Sequence, residues 1–338
     1  MATKTAFLLV SFGGPEGPAD VLPFLRNVTA GRNVPDGRLA EVAEHYQRFG
    51  GVSPINAQCA ALLAAIEREL AARGAGLPAY WGNRNWRPYL ADTMARLADD
   101  GIERVIALAT SAYSSYSSCR QYLEDIERAR AAAGERAPEV VKIPPYYWRP
   151  EFAAAFTAAA RRALATLPEP LAATADLVFT AHSIPASMSA ASGPDGGAYP
   201  AQLAEVAARV AAGLGRGTWR LAYTSRSGPP SVPWLEPDIG DCLAGLAAAG
   251  SRAVLVIPIG FVSDHMEVVF DLDVEAAEAA GRLGLAMARA ATPGTDAGFV
   301  SMITSLVLDA AAGEPVACGP PDGARYCAPG CCGAGGRA

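Results

Sequence analysis

What is scarce in this chain narrows it first. No apolar run approaches the roughly 18 residues that a membrane-spanning helix needs, and the first one, residues 6–12, is also too short for a signal core. The expectation is a cytoplasmic protein without membrane insertion. Cations are few and scattered: 28 Lys and Arg stand against 34 Asp and Glu, for a net charge of −6. With no basic patch, nucleic-acid binding is set aside. Histidine occurs only three times, so each copy carries weight. A disulfide framework is not indicated either, because the seven cysteines come without a secretion signal.

A chain of 338 residues that is 51% hydrophobic suggests about two domains and a large core. Short β-rich runs begin at Ala6, Ala79, Arg104 and Val140, and again at Leu177, Arg220, Ala253 and Leu285. Ala-rich helical patterns separate most of them. This repetition predicts an α/β fold with parallel sheets flanked by helices, in two similar halves. Prolines and aromatics at 144–150 mark a boundary. The expected organisation is 1–148, 149–312 and a Gly-, Pro- and Cys-rich tail, 313–338, ordered only if something ties it down.

Ligands of open parallel sheets bind beyond the carboxyl ends of the strands, and the unusual residues fall there. His182 ends one strand, in the segment TAHSIP. On its own a lone histidine at such a place is as often structural as functional. A neutral imidazole can nevertheless bind a transition metal or accept a proton near neutral pH. Glu267, Asp271 and Glu275 recur every four residues after another strand, which on a helix stacks three carboxylates along one face. A solvated face is the usual meaning of such a stripe. Here its apolar flanks and its place at a strand end favour a path for a hydrated cation, or a base. The loop SFGGPEG at 11–17 matches no phosphate-binding pattern, and Pro15 removes an N–H from it. The tail spacing Cys318-x8-Cys327-x3-Cys331-Cys332 suggests thiolate ligands for zinc or an iron–sulfur cluster, rather than incidental cysteines.

The segments SFGGP, FGGVSPI, GNRNW, TAHSIP, PWLEPD and PIGFVSDHMEVVFDLD occur in that order between residues 11 and 273, and together they resemble ferrochelatase. The likeness spans roughly residues 5–310. It implies two Rossmann-like halves of the chelatase type, with Fe²⁺ inserted as substrate into a porphyrin held in the cleft between them. By the same resemblance His182 and Glu267 face each other across the macrocycle, His182 as metal ligand or proton acceptor and Glu267 as the opposing group. Asp271 and Glu275 then form the approach for hydrated iron, and His265 is structural or supports Glu267. Phe12, Ser53 and Tyr122 map to the porphyrin cleft, and Arg32 and His45 to positions that hold propionates. Phe12 departs from the tyrosine of many bacterial members, which leaves it only packing contacts with the ring.

Some ferrochelatases carry a [2Fe–2S] cluster on three tail cysteines and one body cysteine in a YSxC-like segment. YSSC at 116–119 fits, so the implied ligands are Cys119, Cys318, Cys327 and Cys331, with Cys332 as the alternative. The chain lacks a Leu- and Met-rich insertion of the kind a membrane-bound member uses, which favours coproporphyrin III over protoporphyrin IX as substrate, and the resemblance to soluble bacterial members implies a monomer. Competing expectations are a protoporphyrin ferrochelatase, a chelatase for another metal or tetrapyrrole, and a non-catalytic tetrapyrrole carrier or redox sensor.

Overall fold

The computed structural model describes residues 3–31, 34–314, 317–319 and 330–335. These form two four-stranded parallel sheets. The first orders its strands β2-β1-β3-β4, with β1 Thr5–Ser11, β2 Ala79–Asn83, β3 Arg104–Ala109 and β4 Glu139–Lys142. The second repeats the pattern as β6-β5-β7-β8, with β5 Asp176–His182, β6 Arg220–Thr224, β7 Ala253–Ile257 and β8 Ala286–Arg289. All eight strands coincide with the runs read from sequence.

The central strands are apolar on both faces, as parallel strands covered by helices must be. Phe7 and Leu9 of β1 join one apolar cluster, while Ala6, Leu8 and Val10 join another behind the sheet. The first cluster also takes in Phe179 of β5, Ile257 of β7 and the helices Ile55–Ala72, Pro150–Leu164, Ala198–Gly213 and Ala297–Ala312. Those four helices therefore fill one core shared by the two sheets. The Ala297–Ala312 helix, last in the second half, packs back on the Ile55–Ala72 helix of the first.

Buried polar bridges also tie the halves together near the carboxyl ends of their central strands. Tyr113 Oη donates to the Ile259 carbonyl at 2.8 Å, and the Gln202 side chain pairs with both the backbone N–H and the hydroxyl of Ser114, at 2.7 and 2.9 Å. Each bridge satisfies groups that would otherwise be buried without partners. The loops that follow the strands of both halves are thereby brought face to face.

One helix differs from the expected form. Asp271 and Glu275 of the acidic stripe lie on a π-helix, Val269–Ala276, and Glu267 on the single α turn before it, Met266–Val268; the YSSC segment opens a second π-helix, Tyr116–Arg120. A π turn hydrogen-bonds one residue further along than an α turn and is found mostly at functional sites. Both fall on segments singled out for chemistry.

Candidate metal-insertion site

His182 is the last residue of β5. Its ring is fixed from one side by Nδ1, which contacts the Ser183 carbonyl, and its own carbonyl accepts from Tyr199 Oη at 3.0 Å. A carbonyl can only accept, so Nδ1 carries a hydrogen. Nε2 faces Glu267, with Nε2 and Oε2 3.5 Å apart. In the imidazolium Nε2 donates to the carboxylate; in the neutral ring two acceptors face each other, an arrangement that favours a proton or a metal cation between them.

Glu267 reaches this position because the loop after β7 lies against β5. The Gly260 N–H donates to the Thr180 carbonyl at 3.0 Å, and a Cβ on Gly260 would stand 2.5 Å from Ala181 Cβ. Only glycine fits so close to the strand. Gly260→Ala is therefore expected to cost about 1–3 kcal/mol through overpacking. It should also displace Glu267, so that iron insertion falls more than urea denaturation midpoints alone would explain.

The electrostatics follow from this crowding. Burial lowers the His182 pKa, but its hydrogen bond to Glu267, that carboxylate's charge and the Ser183 carbonyl outweigh it and leave His182 raised. Burial raises Glu267, and the His182 bond and charge, with help from His265, overcome it and bring Glu267 down to about 2. Glu267 is half exposed, as a group at the floor of an open cleft should be. His265 Nδ1 lies 4.0 Å from Glu267 Oε2 with its ring edge-on to Phe261, and burial lowers its pKa. His265 is thus a neighbour of the carboxylate.

Asp271 is one turn further along and accepts from Ser225 Oγ. Burial raises its pKa to about 7, with the charges of Glu267 and Glu275 adding to the rise and the Ser225 bond opposing it. Glu275 and Glu267 are exposed, and Asp271 between them is partly buried. Ser225 was not anticipated from sequence. Its φ of 59° lies in the left-handed region, which is rare for a residue with a Cβ, and such strain collects at functional sites. Its place just after β6 was the available signal.

The first half closes on this site through an apolar cluster of Phe24, Tyr46, Trp86 and Met266, the last adjacent to Glu267. Phe12 packs edge-on against Phe24, with centroids 6.2 Å apart. His45, on the Asp36–Gln47 helix, stacks flat on Phe270 of the π-helix at 3.9 Å. Phe12 and His45 therefore belong to the lobe that reaches the acidic stripe. Ser53 is buried against Gly14, and Tyr122 is buried beneath the Arg84 guanidinium, 4.6 Å from its ring centroid. Arg32 lies outside the described residues. A groove of about 740 Å³ lined by Trp148, Ala153, Thr157, Arg161 and Arg209 shares no residue with the site. Chemistry, not cavity size, locates the site.

The sequence profile of the ferrochelatase family matches residues 4–311. The chain belongs to that family. It is 54% identical to the coproporphyrin III ferrochelatase of Mycolicibacterium vanbaalenii, over 92% of this chain and 91% of that one. It is 52% identical to the coproporphyrin III ferrochelatase of Nocardia farcinica, over 97% and 96% respectively. Among solved structures, SirB from Bacillus subtilis with Fe³⁺ superposes with a TM-score of 0.57, covering 92% of this chain and 96% of that one at 11% identity. At that identity the likeness bears on the fold alone, and the fold is chelatase-like. As a family member the chain is an enzyme of metal insertion into porphyrin.

Three tail thiols lie among the described residues, and Cys327 lies outside them. Cys119 and Cys332 share a hydrogen bond that, with burial, holds the Cys332 thiol well above its usual range. Cys331 Sγ lies 3.7 Å from Cys332 Sγ, and Lys142 Nζ donates to Cys119 Sγ at 3.4 Å. Cys318 lies near Tyr147, whose phenol it helps to raise. Among the described residues no group of three or more His, Cys, Asp or Glu side chains is arranged to hold a metal ion. Cys332, the alternative in the sequence reading, is the tail cysteine seen against Cys119.

Proposed function

We propose that this chain inserts Fe²⁺ into coproporphyrin III to give the iron porphyrin, with His182 and Glu267 as the reacting pair. The single observation that carries the reading is His182 Nε2 facing the Glu267 carboxylate at 3.5 Å. Insertion adds one Fe²⁺ to the macrocycle and releases two pyrrole protons. Neutral His182, its Nδ1 hydrogen pinned on Ser183, takes one proton from a pyrrole nitrogen on Nε2, and the other leaves to solvent. Glu267, ionised beside it, balances the charge of the incoming iron and then of the imidazolium. Glu275 and Asp271 lead hydrated iron inward and replace its waters stepwise with carboxylate oxygens. Phe12 packs on the macrocycle, and Ser53, Tyr122, Arg32 and His45 complete its setting, the last two toward propionates. Protoporphyrin IX, with fewer carboxylates, is the second reading for the same site. A comparison of iron insertion into the two porphyrins under anaerobic conditions tests the choice.

We also propose a [2Fe–2S] cluster held by Cys119 and tail thiols. The donor set fits in chemistry: Cys119 and Cys332 are in contact, Cys331 lies beside Cys332, and Cys318 and Cys327 of the sequence reading would supply the rest. Such a cluster would tie the tail to the body and leave porphyrin chemistry to His182 and Glu267. The proposed organisation is a half of 1–148, a half of 149–312 and a cluster-binding tail of 313–338. The chain is proposed to act as a cytoplasmic monomer. Among the described residues no helix is long and apolar enough to cross a membrane.

A further inference from the structure

Arg289 ends β8, paired with Val256 of β7, so its backbone is fixed by the second sheet. Its side chain leaves that sheet and meets two carboxylates. Nε and Nη2 reach the two oxygens of Asp273 at 2.6 and 2.8 Å, a fork on fork. Nη1 lies 3.3 Å from both oxygens of Asp264, and Nη2 is 3.3 Å from one of them. Arg289 and Asp264 are largely buried, and Asp273 is about a third exposed. Asp264 immediately precedes His265 and lies three residues before Glu267. Its own N–H is held by Gln58 Oε1, from the Ile55–Ala72 helix, at 2.8 Å. Asp273 lies on the π-helix, midway in sequence between Asp271 and Glu275.

We infer that Arg289 is a positioning residue for iron insertion. It bolts the segment that presents Glu267 and the π-helix that presents Asp271 and Glu275 to one fixed strand end, and so sets the spacing of the acidic line. It also neutralises Asp273, a carboxylate two residues from each of Asp271 and Glu275 that would otherwise compete for the cation. Only a guanidinium can do both, because its planar fork satisfies two carboxylates in fixed directions where an ammonium offers a single point charge. The inference rests on the reading of Asp271 and Glu275 as the iron approach.

The test is steady-state insertion by the full chain, with Fe²⁺ and coproporphyrin III varied separately, for Arg289→Lys, Asp273→Asn and Asp271→Asn. Asp273→Asn keeps the Arg289 and Asp264 pair and the fold even where Arg289→Lys does not. Groups that hold metal-site side chains in place commonly matter by about 10-fold to 100-fold. The expected result is a KM for iron raised by about 10-fold in Arg289→Lys and Asp273→Asn. The KM for coproporphyrin should stay within about twofold and thermal midpoints near the parent value. Unchanged iron KM in both variants, with Asp271→Asn impaired, overturns the positioning role and leaves the iron path standing. Equal shifts for both substrates, in step with lost folded protein, overturn it as well. An unimpaired Asp271→Asn removes the path reading and this inference with it.

Discussion

Changing His182 to alanine or Glu267 to glutamine is expected to lower kcat for iron insertion by about 100-fold to 10,000-fold, the range by which a positioned acid or base assists. The alanine variant loses the lone pair that takes the pyrrole proton. The glutamine variant keeps the shape of the side chain but not the negative charge, so neither iron nor an imidazolium is balanced. Folding should survive both changes, since Glu267 is half exposed and the His182 ring is more than a third exposed. His182 is raised in the folded state, so its contribution is complete below its ordinary value of 6.5 and disappears as pH rises through the folded value. Glu267 is lowered to about 2, so its contribution is present above its ordinary 4.5 and is lost as pH falls toward 2. The pair therefore stabilises most between those two ordinary values. Within that window both variants should melt below the parent, and the difference should shrink as pH rises through the folded value of His182. Near-normal turnover in both variants would remove the assignment.

Replacing Cys119 by serine is expected to abolish the visible absorbance of anaerobically purified protein, along with its bound iron and sulfide. Thiolates are the ligands such clusters require, and a hydroxyl is a poor substitute. The tail would then lose its tie to the body. Treated as a cross-link between distant segments, that tie contributes about 3 kcal/mol. At about 2–4 °C per kcal/mol, the thermal midpoint should fall by roughly 6–12 °C. Cys242→Ala serves as the control: Cys242 is buried in the second half among Ile239, Leu243 and Leu246, and its loss should leave the absorbance intact. Parent protein without iron and sulfide would remove the cluster. Lost activity at an unchanged midpoint would point to sensing instead of anchoring.

The fold was legible in the sequence to an unusual degree, for a local reason. Parallel strands buried on both faces read as continuous apolar runs such as AVLVI, so all eight stood out from the Ala-rich helices between them. His182 and Glu267 stood out singly, because histidine is scarce and because a carboxylate stripe amid apolar residues is costly without a purpose, and the family resemblance joined them as the proposed pair. What escaped was set by distance in sequence. Arg289 and Ser225 are ordinary residues in ordinary strand ends, and only the folded chain places them on Asp264, Asp273 and Asp271. The stripe was read as an α-helix because a four-residue repeat matches the α period, and the hydrogen-bond shift that makes a π-helix leaves no trace in residue type. Tyr122 and Ser53, mapped by resemblance, proved buried, a property that motif matching cannot report.

The most direct test is an anaerobic assay of Fe²⁺ insertion at catalytic enzyme concentration, with coproporphyrin III and protoporphyrin IX compared side by side. The expected result is many turnovers on coproporphyrin III and a clearly lower kcat/KM on protoporphyrin IX. Stoichiometric binding of coproporphyrin III without metal insertion, or a preference for protoporphyrin IX, would contradict it.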